Sequence, residues 1–130
     1  MRYEWRATFD NGAVNALHAE GFGHPVLDVD WRSQVERHSL GWVCAFGANR
    51  LVGFVNVAWD GGVHAFVIDT LVARDRRHHG IGHGLLEAAE RESRAAGCEW
   101  LHVDFAPELQ DFYVGACGFA PTPAGLVALR

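Results

Sequence analysis

The sequence predicts an α/β chain of the α+β kind: a mixed, mostly antiparallel central sheet with helices on both faces. Three observations lead there. Apolar residues alternate with period two near the N-terminus and along later runs joined by short turns. A helical stripe with period 3.6 then occupies residues 80–96. A strand-like run follows it, so strand, helix and strand form a βαβ unit whose outer strands should be parallel.

The elements follow in order. Residues 3–9 (YEWRATF) alternate like a short strand. Asp10 and Asn11 offer a cap for a helix over GAVNALHAEGF, which the Gly21–Pro25 stretch should end. Asp28 and Asp30 can cap a second helix, WRSQVERH. The runs GWVCAFGA and LVGFVNVAW read as strands joined by a hairpin turn at Ala48-Asn49-Arg50. Asp60-Gly61-Gly62 is a second hairpin turn, into VHAFVIDTLVA. In the helix from Gly80 to Ala96, Ile81, Leu85, Leu86 and Ala89 mark the apolar stripe, and Gly97 should end it. CEWLHVDF reads as a strand, Pro107 opens a helix around ELQDFYVGA, and the tail FAPTPAGLVAL reads as two short extended segments. No repeat or long linker interrupts residues 1–130, which are expected to form a single domain.

Composition narrows the function classes. The chain has 130 residues, 49% of them hydrophobic, and a net charge of −5. That balance argues against a general nucleic-acid binder, which needs a broad basic face. It is compatible with a cationic small substrate. No apolar run is long enough to span a membrane and no signal peptide is evident, so a cytoplasmic location without membrane association is expected. Three widely spaced cysteines without a CxxC fit free thiols in a reducing compartment. All eleven basic residues are arginine, so lysine Schiff-base chemistry and a phosphate-loop lysine are excluded. Among eight histidines, His79 and His83 are four apart, but there is no HExxH and no metal is expected.

The most informative stretch is RDRRHHGIGHG, residues 74–84, which runs into the helix. It concentrates positive charge and glycine where backbone N–H groups are free, a setting for an anion. A phosphate loop would need GxxxxGK followed by Ser or Thr, and none is present. A dinucleotide fingerprint GxGxxG would need glycine where Leu85 stands. The segment TLVARDRRHHGIGHGLL instead resembles the acyl-CoA-binding signature of the GNAT superfamily of acetyl-CoA-dependent N-acetyltransferases. Arg77-His78-His79-Gly80-Ile81-Gly82 matches its core, an arginine or glutamine, two residues, then Gly-x-Gly. The element order and the closing Cys117-Gly118-Phe119 agree with that fold over nearly the whole chain.

The resemblance implies acetyl-CoA as cosubstrate, bound by Arg77, His78, His79, Gly80, Ile81, Gly82 and His83. Arg74 and Arg76 add charge. It implies that the backbone of Leu71 and Val72 bonds the pantetheine arm like an added strand. The reaction it implies is acetyl transfer to a primary amine of a small molecule, such as an aminoglycoside-like antibiotic, by direct attack in a ternary complex. The alternative is a noncatalytic acyl-CoA-binding regulatory or interaction module. Family members often pair, so a homodimer is implied.

Acyl transfer to an amine needs a base for the nucleophile, polarisation of the carbonyl and an acid for the leaving thiolate. By resemblance the acid is Tyr113. The usual spacing from that tyrosine to Gly-Phe is three residues, and here four intervene before Gly118-Phe119. Either the helix carries an extra residue after Tyr113 or the tyrosine is turned away from the thiol. Candidate bases are Asp69, which alternation places on one face with Val67 and Leu71, and Asp104 on the next strand; His102 and a water relay are further options. Substrate contacts should come from the first two helices and their connection, with Phe22, His24, Asp28, Asp30 and Trp31, and from Trp59 and Asp60. Acids beside aromatic surfaces suit a cationic amine.

Overall fold

A computed structural model describes residues 1–130. It contains β1 (Arg2–Trp5), α1 (Asn11–Phe22), α2 (Trp31–His38), β2 (Ser39–Gly47), β3 (Arg50–Trp59), β4 (His64–Val72), α3 (Ile81–Ala95) and β5 (Trp100–His102). Short 3-10 turns cover Arg74–Arg76 and Pro107–Leu109, and a π-helical turn covers Asp111–Ala116. The five strands lie in sequence order in one sheet, antiparallel except for the parallel β4–β5 pair. The predicted architecture therefore holds.

Helices cover both faces because β3 alternates. The Cβ position of Gly53 lies 2.9 Å from Ile81 and 3.1 Å from Leu85 of α3. Its neighbour Phe54 points the other way, with its ring centroid 5.4 Å from Phe9 and 6.3 Å from Trp31 of α2. Fully buried Val43, Val52, Phe54, Val55, Val57, Leu71 and Leu85 lie in the core this alternation builds. Each such side chain, removed from water, contributes roughly 1.5–3 kcal/mol.

The caps and turns follow local chemistry. Asp10 Oδ2 accepts from Ala13 N at 3.1 Å at the start of α1, and Gly23 closes α1 in the left-handed region. Ala48 and Asn49 both have positive φ, 50° and 67°, as the tight β2–β3 hairpin requires.

Four predicted elements are shorter or different, and one of them, the closing helix, divides into a 3-10 turn and a π-helical turn. The first strand stops at Trp5 rather than residue 9, because Arg6 takes φ 55° and turns Ala7 and Phe9 into the core. The last strand spans only Trp100–His102, since the chain leaves β4 after the pair Phe66↔His102. The tail forms no strand, and Leu126, Val127 and Leu129 are exposed. A cleft of about 950 Å³ lies between β5, the closing turns and this tail. No helix is long and apolar enough to cross a membrane.

Candidate active site

The centre of the sheet is interrupted at one place. Pairing of β3 with β4 passes from Asn56↔Ile68 to Phe54↔Leu71, so β4 carries one extra residue. Such a bulge unpairs backbone and re-aims a side chain. Here Asp69 sits within it at φ 56°, a conformation that aspartate tolerates better than most residues. The insertion also corrects the face assignment. Val67 pairs with Val57 on the α3 side, whereas Phe66 and Ile68 pair with Ala58 and Asn56 on the α1 side, which Leu71 shares. On its outer edge β4 has no partner beyond Phe66, so the strands part beside the bulge.

Asp69 faces His18 of α1, with Oδ1 3.5 Å from Nε2, and its side chain is only 17% exposed. Burial raises the Asp69 pKa, while the His18 ring and the Asn56 amide oppose the rise. His18 is packed against Phe22 (centroids 4.5 Å), His24 (4.9 Å) and Trp31 (5.3 Å). Neither His18 nor Asn56 was legible as a site residue, since only the bulge brings Asp69 to them.

Tyr113 approaches the bulge from the closing turn. Its ring stacks on Phe105 at 5.1 Å and meets Phe112 and Phe119 edge-on. The Thr70 hydroxyl lies close enough to oppose the burial-driven rise in the Tyr113 pKa. It makes no well-formed hydrogen bond there, so Thr70 Oγ1 is a buried polar atom without a partner. The extra residue after Tyr113 is absorbed as a π-turn, in which Cys117 N donates to Phe112 O at 2.9 Å. Of the two alternatives open in the sequence, the helix takes the extra residue and Tyr113 stays against β4.

Asp104 lies just past the end of β5. It is exposed and lines the cleft beside β5, where its charge helps to keep Tyr113 protonated. His102 stacks on Phe66 at 4.7 Å, and its Nε2 lies 2.8 Å from His64 Nδ1.

The glycine stretch opens α3 with free backbone N–H groups. His78 and Gly80 both have positive φ, and Gly80, at φ 79°, ends the loop with no side-chain cap on the helix. The first backbone bond is Gly84 N to Gly80 O at 3.0 Å, which leaves the N–H groups of Ile81, Gly82 and His83 without partners. The helix dipole adds positive potential there. Arg77, His78 and His79 are exposed around it. The other two glycines serve packing: a Cβ on Gly82 would meet Phe112 at 3.0 Å, and one on Gly84 would overlap the Tyr3 ring. Arg74 is held by Glu20, whose Oε1 accepts from Arg74 N at 2.6 Å. Asp75 is paired with Arg50 through contacts of 2.9 and 3.0 Å.

Several expected substrate residues are engaged elsewhere. Asp30 caps α2, accepting from Ser33 N, Ser33 Oγ and Asn11 Nδ2. Trp31 is a core residue, 5% exposed, donating Nε1 to Asn15 Oδ1 at 3.0 Å. Asp60 shapes the β3–β4 turn, accepting from Gly62 N at 2.7 Å and His64 N at 3.2 Å. Trp59 is half-buried at the end of β3, paired with Ala65. Among the expected acids, Asp28 alone is exposed without a side-chain hydrogen bond or ion pair, in a stretch with exposed Val26 and Leu27. No group of three or more His, Cys, Asp or Glu side chains gathers as a metal site. The cysteines are not activated: burial pushes the Cys44 thiol up to about 12 and also raises Cys98 and Cys117.

Comparison with known proteins agrees with this fold. Residues 3–119 match the acetyltransferase (GNAT) family. No curated protein matches the sequence significantly. Among solved structures, a putative acetyltransferase from Agrobacterium tumefaciens superposes with TM-score 0.84 at 17% identity, covering 98% of this chain and 99% of its own. An aminoglycoside acetyltransferase from an uncultured soil metagenomic sample, in complex with trehalose, gives TM-score 0.82 at 17% identity, with 99% and 95% covered. AAC(6')-Iy, in complex with the bisubstrate analogue CoA-S-monomethyl-acetylneamine, gives 0.76 at 18% identity, with 100% and 99% covered. At these identities the superpositions speak for the fold, and the family match over most of the length speaks for descent: the chain belongs to the acetyltransferase (GNAT) family.

Proposed function

We propose that this chain transfers the acetyl group of acetyl-CoA to a primary amine of a small cationic molecule, by direct attack in a ternary complex. The observation that carries the reading is the β4 bulge. There a carboxylate with a raised pKa, Asp69, and a phenol kept protonated by burial, Tyr113, border one opening in the sheet.

The residues present fit acetyl-CoA. Unpartnered N–H groups at Ile81, Gly82 and His83, with Arg77, His78 and His79 around Gly80, suit a pyrophosphate. The open edge of β4 at Leu71 and Val72 suits an extended amide chain. Acetyl-CoA supplies an activated thioester; the chain supplies orientation and proton traffic. Asp69 takes the proton of the amine, and a raised pKa brings it nearer the working pH of a general base. Tyr113 donates its proton to the leaving thiolate.

Exposed Phe66 and Ile68, on the same side of the sheet as Asp69, offer an apolar approach, and Asp28 offers negative charge to a cation. Aminoglycoside-type aminosugars are therefore the first acceptors to try, in keeping with two of the structural neighbours. Calorimetry with acetyl-CoA tests the donor half: micromolar binding is expected, and no binding at high micromolar concentration rejects it. Tight binding with no turnover on any amine would favour a noncatalytic acyl-CoA-binding module.

A further inference from the structure

We propose that His18 and Asp69 form one paired base, and that His24 with the Pro25 carbonyl locks it in its proton-accepting tautomer. The proposal rests on Asp69 receiving the amine proton, as in the reading above.

The argument starts at the outer end. The Pro25 carbonyl oxygen has only lone pairs, so its 2.7 Å contact with His24 Nδ1 requires a proton on that nitrogen. Neutral His24 then presents a lone pair at Nε2. His18 Nδ1 lies 2.7 Å from it, so His18 must supply the proton between them. Neutral His18 is left with its lone pair on Nε2, the nitrogen 3.5 Å from Asp69 Oδ1. A lone pair facing a carboxylate is poorly matched until one proton enters between them, and then both are satisfied. The lock therefore makes the pair a stronger proton acceptor than either group alone.

The surroundings keep this arrangement. Asp69 is met by His18 from α1 and by the Asn56 amide from β3. His18 is met by Asp69 and His24, and otherwise by the rings of Phe22 and Trp31. Trp31 is itself fixed by Asn15. The 3.5 Å separation must shorten by about half an ångström for a strong hydrogen bond, as catalytic contacts often do when substrate closes the site.

The proton account balances. The amine nitrogen forms a bond to the acetyl carbon, the C–S bond breaks, and the amine proton passes through Asp69 to His18 Nε2. The pair then rests as carboxylate and imidazolium, with His18 Nδ1–H still donated to His24. After product leaves, the pair returns that proton to solvent, and Tyr113 regains from solvent the one it gave the thiolate. Counted from the neutral amine that attacks, the reaction yields no net proton. His18 and His24 act through Asp69, so they are positioning residues.

The test is long-range 1H–15N correlation of the histidine rings in the ligand-free protein across pH 5–9, for wild type, Asp69→Asn and His24→Phe. Both rings should be neutral Nδ1–H tautomers at high pH. In Asp69→Asn, His18 should keep the Nδ1–H tautomer, with its Nε2 accepting from the new amide. In His24→Phe, His18 should gain the Nε2–H tautomer, and the acidic limb of kcat/KM should move to lower pH. A wild-type His18 in the Nε2–H form, or a His18 tautomer indifferent to His24→Phe, overturns the lock. Spectra as expected with undiminished turnover in Asp69→Asn would instead overturn Asp69 as the base.

Discussion

The N–H of Cys117 donates to the carbonyl of Phe112 at 2.9 Å, closing the π-turn on which Tyr113 stands. One residue more than the family spacing is thereby absorbed within the turn, and the phenol keeps its place beside Thr70. A π-turn is uncommon and tends to mark a functional position.

Tyr113→Phe follows from that placement. Loss of the proposed proton donor should lower turnover by about 10²-fold or more. Acetyl-CoA affinity should stay within about twofold, because the ring and its stack on Phe105 remain. Turnover at the wild-type level, measured by thiol release, would reject the acid assignment.

Asp69→Asn should stabilise the fold while removing activity. Burial raises the folded pKa of Asp69 above its unfolded value. Its favourable contribution is therefore full below the unfolded pKa and is lost as pH rises through the folded one. An asparagine avoids that loss, and its amide can donate to the His18 lone pair. The melting temperature of Asp69→Asn should exceed wild type at pH 8, with the gain shrinking towards pH 4. A lower melting temperature at pH 8 would contradict this.

The two acids near α2 should separate cleanly. Asp30→Ala removes a helix cap with three donors and should lower the unfolding midpoint without changing KM for the amine. Asp28→Ala should leave stability within about 0.5 kcal/mol and raise KM for a cationic acceptor. Denaturant titrations paired with steady-state kinetics distinguish them.

Two glycines of the loop should also part company. Gly84→Ala forces a methyl into the Tyr3 ring and should cost about 1–3 kcal/mol in stability. Gly80→Ala meets no neighbour, but its φ of 79° is strained for alanine by about 1–2 kcal/mol. Calorimetry should show the larger loss of acetyl-CoA affinity for Gly80→Ala, since that position shapes the N–H cradle.

Much of this was legible in the sequence, for local reasons. Asp10 and Asp30 cap helices and Asp60 shapes a turn, all through short-range hydrogen bonds. The loop at Gly80 announces itself through glycine spacing. The bulge at Asp69 does not, because an inserted residue leaves no mark on a period-two pattern, and Val67 was placed on the wrong face as a result. His18 was illegible for the same reason: its partner reaches it only across the sheet–helix interface. Trp31 looked like an aromatic platform, but depth of burial cannot be read from residue type.

Thiol release from acetyl-CoA across an amine panel that includes aminoglycosides, run on wild type, Asp69→Asn and Tyr113→Phe, tests the central claim most directly. The account predicts thiol and N-acetyl product in equal amounts from wild type, and loss of both in two variants that still bind acetyl-CoA. Equal turnover in all three proteins would contradict it.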